Sequence, residues 1–322
     1  MWDKYYICST QMNTMKTNFK SVIELLDYYK DEATCKALLE QQRWNGKVTC
    51  PFCGSEKVYR IENGKRFKCG NPDCYKKFSV TVGTIFENTK IELRYWYGAI
   101  YLATAHKKGI SSHQLSRDLG ISQKTAWFIL HRVRHMLKDK APHVLSNTVE
   151  IDETYIGGKE GNKHAHKRLP KHLSKGTNGK TPVLALVERG GKVVAKPVLD
   201  GVDKETLYPV MLDHVKQGSK VYTDALITYR SLKDFFQHDY VNHHYGQYVY
   251  GDVHTNTVEG YFSLLKRGII GIYHQVSVKH LAKYCVEFSY RYNSRNLTDV
   301  ERFQHVLTHA EGRLKWNELI AE

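Results

Sequence analysis

The stretch TVEIDETYIGG, residues 148–158, decides how the second half of this chain can fold. Val149 and Ile151 alternate with polar residues ahead of Asp152, which is the pattern of a β-strand rather than of a helix. The pattern therefore predicts a carboxylate on an otherwise apolar sheet. A lone Asp is most often a helix cap, a turn former or a solvated side chain. Asp152 is therefore a candidate catalytic residue only if other functional side chains lie close to it.

Two further carboxylates lie in comparable contexts. Asp224 ends a second predicted strand, KVYTDAL (220–226), at the edge where open α/β sheets place ligands. Glu259 opens a helical stretch, NTVEGYFSLLKRGI (256–269), and Lys266 follows it on the same helix face. His254 and Asn256 precede Glu259 and are expected either to orient a substrate or to cap the helix. Glu153 is left out of the set, because it would lie on the other side of its strand.

Three converging carboxylates predict a site for divalent cations. Buried like charges raise one another's pKa unless cations neutralise them. Mg²⁺ and Mn²⁺ prefer carboxylate oxygens, and a pair of such ions can clamp the attacking and leaving oxygens of a phosphoryl transfer. We therefore predict that Asp152, Asp224 and Glu259 are catalytic and hold two Mg²⁺ or Mn²⁺ ions.

The segments around the carboxylates predict an α/β domain over residues 147–295. The first strand is followed by a hairpin (180–199) that turns at Gly190-Gly191, and then by helix, strand, helix, strand and helix. This order is that of a ribonuclease-H-like domain, a mixed sheet with helices on both faces. A further helical tail is predicted over 296–322.

The first half of the chain contains a cysteine set with metal-ligand spacing. Cys50 and Cys53 form a C-x₂-C pair, and Cys69 and Cys74 form a C-x₄-C pair. Four thiolates on two β-turns make a closed tetrahedral site of the structural kind. We predict one structural Zn²⁺ in a zinc ribbon over 46–82, preceded by a helical segment over 1–45.

Residues 107–137 have the pattern of a helix-turn-helix. Gly120-Ile121 makes the predicted turn, and Ser122 can cap the second helix. Three-helix bundles that do not bind DNA have a similar sequence pattern. The zinc ribbon that precedes this segment and the net positive charge of the chain favour the DNA-binding interpretation. We predict a DNA-binding domain over 91–140. The second helix offers Trp127 and His131, and the side chains predicted to contact DNA are Gln123, Lys124, Thr125 and Arg132.

The charge of the chain favours a polyanionic partner. The 322 residues include 48 Lys and Arg against 33 Asp and Glu, a formal net charge of +15. Lys167 and Arg168 lie in a basic loop between the first strand and the hairpin, which is either a phosphate contact or simply solvated. Lys266 and Arg267 are placed to hold DNA beside Glu259. The sequence has no predicted membrane span or apolar signal segment, and its seven cysteines favour a cytoplasmic setting.

Six segments together resemble bacterial insertion-sequence transposases of the DDE superfamily, in the ISXO-like branch related to the Merlin elements. The resemblance covers nearly everything from residue 18 to 295. Its segments are Arg43 to Ser55, FSVTVGTIFENTK (78–90), His106 to Arg134, EIDETYIGGK (150–159), VYTDA (221–225) and HTNTVEGYFSLLKRGIIGIYH (254–274).

The resemblance implies a fold, a reaction and partners. Asp152, Asp224 and Glu259 would be the catalytic triad, and Lys266 the basic residue that follows it. The implied reaction frees 3′-hydroxyls at the element ends and joins them to target DNA. The partners would be terminal inverted repeats and target DNA, both double-stranded, bound by a homodimer or a larger assembly at the nucleoid. Two alternatives stay open: a zinc-containing DNA-binding regulator whose α/β domain is not catalytic, and a ribonuclease-H-like nuclease without strand transfer.

Overall fold

The computed structural model of the chain describes residues 19–138, 143–158, 160–170 and 176–321. The first 18 residues of the predicted N-terminal segment therefore lie outside the described ranges. The chain divides into two compact units. One contains the residues up to Ala105 together with Thr298–Lys315, and the other contains His106–Leu297 together with the segment from Trp316 onward.

The first unit combines helices with a small sheet. Its helices are α1 (Val22–Tyr28), α2 (Glu32–Trp44), α3 (Leu93–Ala105) and α9 (Asp299–Leu307). Its strands β1 (Val58–Ile61), β2 (Arg66–Cys69) and β3 (Lys77–Phe78) form an antiparallel sheet in the order β1-β2-β3. The ring of Phe303 on α9 packs edge-on against Phe19, Tyr29 and Tyr97, so the predicted tail contributes to this core.

The second unit begins with two helices, α4 (Ser112–Leu119) and α5 (Gln123–Met136). Gly120 ends α4 with a left-handed φ of 64°, a conformation that costs glycine little, and the Ser122 side chain caps α5. Two helices joined by a tight turn are therefore present where the sequence predicts them. The predicted DNA-binding segment 91–140 extends over both compact units, because α3 belongs to the first and α4 and α5 belong to the second.

A five-stranded mixed sheet forms the centre of the second unit. The strands are β4 (Thr148–Ile156), β5 (Thr181–Glu188), β6 (Val193–Pro197), β7 (Lys220–Asp224) and β8 (Gln237–Val241), in the order β6-β5-β4-β7-β8. β4 pairs antiparallel with β5, and β5 with β6, whereas β7 runs parallel to β4 and to β8. The predicted hairpin is thus confirmed as β5 and β6.

Helices cover both faces of this sheet, as predicted. One face packs against α6 (Lys204–His214) through Val149, Ile151 and Val221, together with Leu207 and Met211 of the helix. The other face packs against α7 (Asn256–Gly268) and α8 (Val278–Asn293). A short π-helix, Ile269–Tyr273, extends α7, and α10 (Trp316–Ala321) follows near the end of the chain. In the described ranges, no helix is both long and apolar enough to cross a membrane.

One predicted helix has a different form. The sequence predicts a helix over residues 228–236, and Ile227–Asp234 form a 3₁₀-helix there. The two buried residues of this segment are Tyr229 and Leu232, three positions apart. A 3₁₀-helix brings residues i and i+3 to the same side. Both Tyr229 and Leu232 therefore point into the core of the sheet.

Candidate active site and zinc centre

Asp152 lies on the sheet face that α7 and α8 cover. It is opposite Ala185 in the β4–β5 register, and Ala185 belongs to the core formed with these helices. Glu153 lies on the other face, where the Tyr229 hydroxyl donates a 2.7 Å hydrogen bond to its carboxylate. The strand therefore separates the two neighbouring acids, as the alternation in the sequence predicts.

Asp224 ends β7 beside Asp152. The parallel register of β4 and β7 pairs Glu150 with Tyr222, so two residues further on both aspartates lie at adjacent strand positions on one face. Asp224 Oδ1 accepts the backbone N–H of Leu226 at 3.0 Å, which turns the chain out of the sheet. A cleft of about 360 Å³ opens here, lined by Asp224, Ala225, Leu226, Asn242 and His243.

Glu259 lies in the first turn of α7 and is about half exposed, with a side-chain exposure of 51%. Its Oε1 accepts a 3.0 Å hydrogen bond from the Thr255 hydroxyl. The same hydroxyl is 3.2 Å from His243 Nε2, and that nitrogen is 3.8 Å from Glu259 Oε1. His243 and Asn242 therefore line the site, although no motif in the sequence singles them out.

Asp152 is affected by its burial and by the neighbouring acids. Burial, and then the charges of Glu153, Asp224 and Glu259, raise the pKa of Asp152 from 3.8 to about 8. The hydrogen bond from the backbone N–H of Glu153 acts in the other direction and lowers this pKa. Among the described residues, the cysteine set is the only group of three or more ligand side chains close enough together to hold one metal ion, so the three carboxylates do not form a closed ligand set. An oxygen donor set with excess negative charge and an open cleft fits a divalent cation.

The four predicted zinc ligands lie together. Their sulfur atoms are all within 4.8 Å of one another, with 3.8 Å between Cys50 Sγ and Cys74 Sγ and 3.6 Å between Cys53 Sγ and Cys69 Sγ. A tetrahedron with Zn–S bonds of about 2.3 Å requires sulfurs separated by about 3.8 Å, so the set fits Zn²⁺. Hydrogen bonding from the Ser55 backbone, and then from the other thiols, lowers the pKa of Cys53 to about 7, which favours a thiolate.

Helix α5 presents only part of the predicted DNA-contacting set to solvent. Lys124 is exposed, with its ammonium 5.3 Å from the centre of the Trp316 ring. Gln123 donates to the Ser112 hydroxyl, and the Thr125 hydroxyl is 2.8 Å from that of Ser122. Arg132 is 7% exposed and lies over the ring of Phe128.

Two aromatic residues of α5 are also covered. The rings of Trp127 and His131 pack against His280 of α8, and Trp127 also contacts Trp316 of α10. Of the four residues of α5 predicted to contact DNA, Lys124 in the first turn is the exposed one.

The basic residues predicted near the site differ in their surroundings. Lys266 and Arg267 are exposed on α7, and Arg267 Nε donates to Ser263 O at 3.1 Å. Arg168 is exposed, and its guanidinium donates to the carbonyls of Lys163 and Gly161. The side chain of Lys167 lies outside the described set. The predicted contacts of these residues with DNA stay predictions.

Comparison with known proteins identifies the family. A family described as the ISXO2-like transposase domain matches residues 144–293, and one described as the transposase zinc-ribbon domain matches residues 30–77. A protein of Halobacterium salinarum, named as an uncharacterized protein in transposable element ISH50, is 32% identical over 275 residues, covering 82% of this chain and 91% of the relative. The chain belongs to the ISXO2-like family of insertion-sequence transposases.

Proposed function

We propose that the protein is a DNA transposase that binds terminal inverted repeats, cleaves the element ends and joins the freed 3′-hydroxyls to target DNA. The observation that carries this proposal is the placement of Asp152 within β4 next to Asp224 at the end of β7, with Glu259 in the first turn of α7. Burial, and then the charges of the neighbouring acids, raise the pKa of Asp152 there. A carboxyl group in a cleft whose pKa is raised by burial and by neighbouring charges is typical of a functional site.

The architecture supports the same function. If β4 to β8 are renumbered 1 to 5 in chain order, the strands lie in the order 3-2-1-4-5 across the sheet. Strands 1, 2 and 3 are antiparallel to their neighbours in chain order, whereas strands 4 and 5 run parallel to strand 1. We assign this arrangement to the ribonuclease-H-like fold. We propose that Asp152 on the first strand, Asp224 at the end of the fourth and Glu259 on α7, after the fifth, are the catalytic residues.

In the proposed reaction the three carboxylates hold two Mg²⁺ or Mn²⁺ ions. When bound, these ions neutralise the charge that develops on the transferring phosphoryl group and orient both oxygens of the displacement. In the first step a water molecule loses a proton as its oxygen forms a bond to phosphorus, the bond from phosphorus to the 3′-oxygen breaks, and that oxygen takes up a proton. In the second step the freed 3′-hydroxyl loses its proton as its oxygen forms a bond to a target phosphorus, and the target 3′-oxygen leaves and takes up a proton.

The other parts of the chain are assigned to DNA. Lys266 and Arg267 lie on the helix that carries Glu259, and we assign them to the adjacent phosphates. We assign α4 and α5, with the exposed Lys124, and the zinc ribbon to recognition of the inverted repeats. Two element ends must be brought together, so the active form is proposed to be a dimer or a larger assembly on nucleoid DNA.

Nicking of supercoiled plasmid with added Mg²⁺ or Mn²⁺ tests this function. The wild type is compared with Asp152→Asn, Asp224→Asn and Glu259→Gln. We expect cation-dependent nicking that all three substitutions abolish while DNA binding persists. A wild type that binds DNA but never cuts it, even with paired end sequences, would indicate a regulator. Cutting without joining of 3′-ends to a second DNA would indicate a nuclease without strand transfer.

A further inference from the structure

A fourth acid lies beside the proposed catalytic set. Glu150 is on β4, two residues before Asp152 and on the same sheet face, since it pairs with Val187 of the core that α7 and α8 cover. Its side chain is 0% exposed. A buried carboxylate is strongly unfavourable unless charged and hydrogen-bonding partners compensate for the lost hydration.

Glu150 finds those partners at the start of α7. Its Oε2 accepts the backbone N–H groups of Thr257 at 2.7 Å and Val258 at 3.1 Å. Its Oε1 accepts the Thr257 hydroxyl at 2.8 Å and lies 3.2 Å from His254 Nδ1. Within the described part of the chain, the N-cap residue Thr255 makes no capping hydrogen bond with its own side chain. A strand residue therefore caps α7, at the end where the helix dipole favours a negative charge.

An arginine completes this arrangement. Arg189, in the turn between β5 and β6, donates from Nε to Glu150 Oε1 at 2.6 Å. The same guanidinium donates to Asp252 Oδ1 and Asp252 O, both at 2.9 Å, and to His254 O at 3.2 Å. Arg189 thus balances the charge of Glu150 and holds the segment that leads into α7.

The positions of these contacts connect two members of the proposed site. Val258, whose N–H is held by Glu150, immediately precedes Glu259, and Glu150 is two residues from Asp152 on the same strand. One buried side chain therefore joins the strand of the first acid to the helix of the third. Since helices and strands are stiff over such short lengths, the contact sets the position of Glu259 relative to Asp152.

We propose that Glu150 is a positioning residue, which holds Glu259 against Asp152 and thereby sets the affinity of the carboxylate site for a divalent cation. The inference rests on the proposed function, because it takes Asp152 and Glu259 to share the cation. Neither the family descriptions nor the relative assigns a role to this residue.

The test uses Glu150→Gln in the full-length protein with its zinc. Gln keeps the shape of the side chain, but it removes the charge and turns one acceptor oxygen into an NH₂ group facing donors. Binding of Mn²⁺ is measured by electron paramagnetic resonance in the absence of DNA, so that the readout does not depend on cleavage. We expect Mn²⁺ affinity to fall by about 10- to 100-fold, as for other residues that orient metal ligands.

A double-mutant cycle separates positioning from general damage. If Glu150 acts through Glu259, adding Glu150→Gln to Glu259→Gln causes little further loss of Mn²⁺ affinity. Glu287→Gln is the matched control, because Glu287 is also a buried carboxylate of this unit and pairs with Arg134 and Arg291 at 2.6 Å. It contacts none of the three acids, so we expect normal Mn²⁺ affinity in that variant.

The outcomes are distinguishable. Wild-type Mn²⁺ affinity in Glu150→Gln, or a full additional loss in the Glu259→Gln background, would overturn the positioning role. If Glu259→Gln still abolishes nicking in that case, the proposed function stands without it. A wild type that neither binds Mn²⁺ nor nicks DNA would overturn both. Should Glu150→Gln fail to fold, Thr257→Val removes only the 2.8 Å hydroxyl contact, and we expect a smaller loss in the same direction.

Discussion

The hydroxyl of Tyr229 lies 2.7 Å from Glu153 Oε2, on the sheet face opposite to Asp152. Two acids that are adjacent in sequence therefore have different surroundings. Asp152 faces α7 and the cleft side of the sheet, whereas Glu153 is tied into the core formed with α6. The two residues still interact, because the backbone N–H of Glu153 donates a 2.8 Å hydrogen bond to Asp152 Oδ1. In addition to burial, the charge of Glu153 raises the pKa of Asp152.

This arrangement predicts opposite results for two neighbouring substitutions. Asp152→Asn should abolish cation-dependent nicking, because it removes a proposed ligand. Glu153→Gln should retain nicking. It should also shift the lower pH limit of Mn²⁺ binding downward, because removing the Glu153 charge lowers the pKa of Asp152. Both variants are compared over a pH series at fixed Mn²⁺. Loss of nicking in Glu153→Gln with normal folding would place Glu153 in the site.

The raised pKa of Asp152 also predicts the pH dependence of stability without Mg²⁺ or Mn²⁺. The folded protein keeps the Asp152 proton up to about pH 8, whereas an unfolded chain releases it near pH 4. The unfolded state therefore binds fewer protons in this window, and Asp152 reduces stability as the pH rises, by up to about 1.4 kcal/mol per pH unit.

This contribution is measured by thermal unfolding of wild type and Asp152→Asn at intervals of about one pH unit between pH 5 and pH 8. Strong chelators are omitted, since they would remove zinc and unfold the ribbon. We expect the variant to gain stability relative to wild type as the pH rises, and added Mg²⁺ to stabilise only the wild type. A constant difference over the series would show that Asp152 ionises normally.

A buried histidine on α5 predicts a pH dependence of the opposite sign. Burial, and then the charges of Arg134, His280 and Lys283, lower the pKa of His131 from 6.5 to about 2. Its two ring nitrogens have no hydrogen-bond partner among the described residues. The unfolded chain takes up this proton near pH 6.5 and the folded protein does not, so stability is lost as the pH falls below 6.5.

His131→Phe should therefore reduce the drop in melting temperature between about pH 7.5 and pH 5. The exposed His113 on α4 provides the control, and His113→Phe should leave the drop as in wild type. An unchanged drop in His131→Phe would mean that the folded protein also protonates His131.

The strand and helix positions of the three candidate acids could be predicted from the sequence because each lies in a distinct local pattern. Asp152 interrupts an apolar alternation, Asp224 ends a strand, and Glu259 opens an amphipathic helix. The partners of Glu150 could not be predicted. Its contacts with Thr257 and Val258 join residues more than a hundred positions apart, and only the packing of α7 on the sheet brings them together.

Tertiary packing also limits what the pattern of α5 can reveal. The helical period of the apolar residues indicates that one face of α5 is buried. It does not show that Trp127 also packs against α8 and α10, or that His131 packs against α8. Arg132 is also buried, with its guanidinium over the ring of Phe128, whereas Lys124 at the start of the helix stays exposed.

The zinc centre predicts different results for two buried cysteines. Cys50→Ser should release zinc and unfold the ribbon, because metal binding and folding are coupled in such sites. Cys35 on α2 is also buried, but it lies outside the set of four sulfurs that can share a metal ion, so it is a poor candidate for a zinc ligand. Cys35→Ser should therefore keep one zinc ion per chain. Atomic absorption measures the zinc content, and equal zinc in both variants would contradict the assignment of Cys50.

The exposure of Lys124 predicts a specific change in DNA binding. If the start of α5 contacts a phosphate, Lys124→Ala should weaken binding to all sequences and reduce the slope of log affinity against log salt concentration by about 1. Lys216→Ala is the matched control, because Lys216 is also exposed but lies before β7, at the end of the sheet away from the carboxylates. Fluorescence anisotropy over a salt series gives both slopes. Equal slopes for Lys124→Ala and wild type would exclude a phosphate contact by this residue.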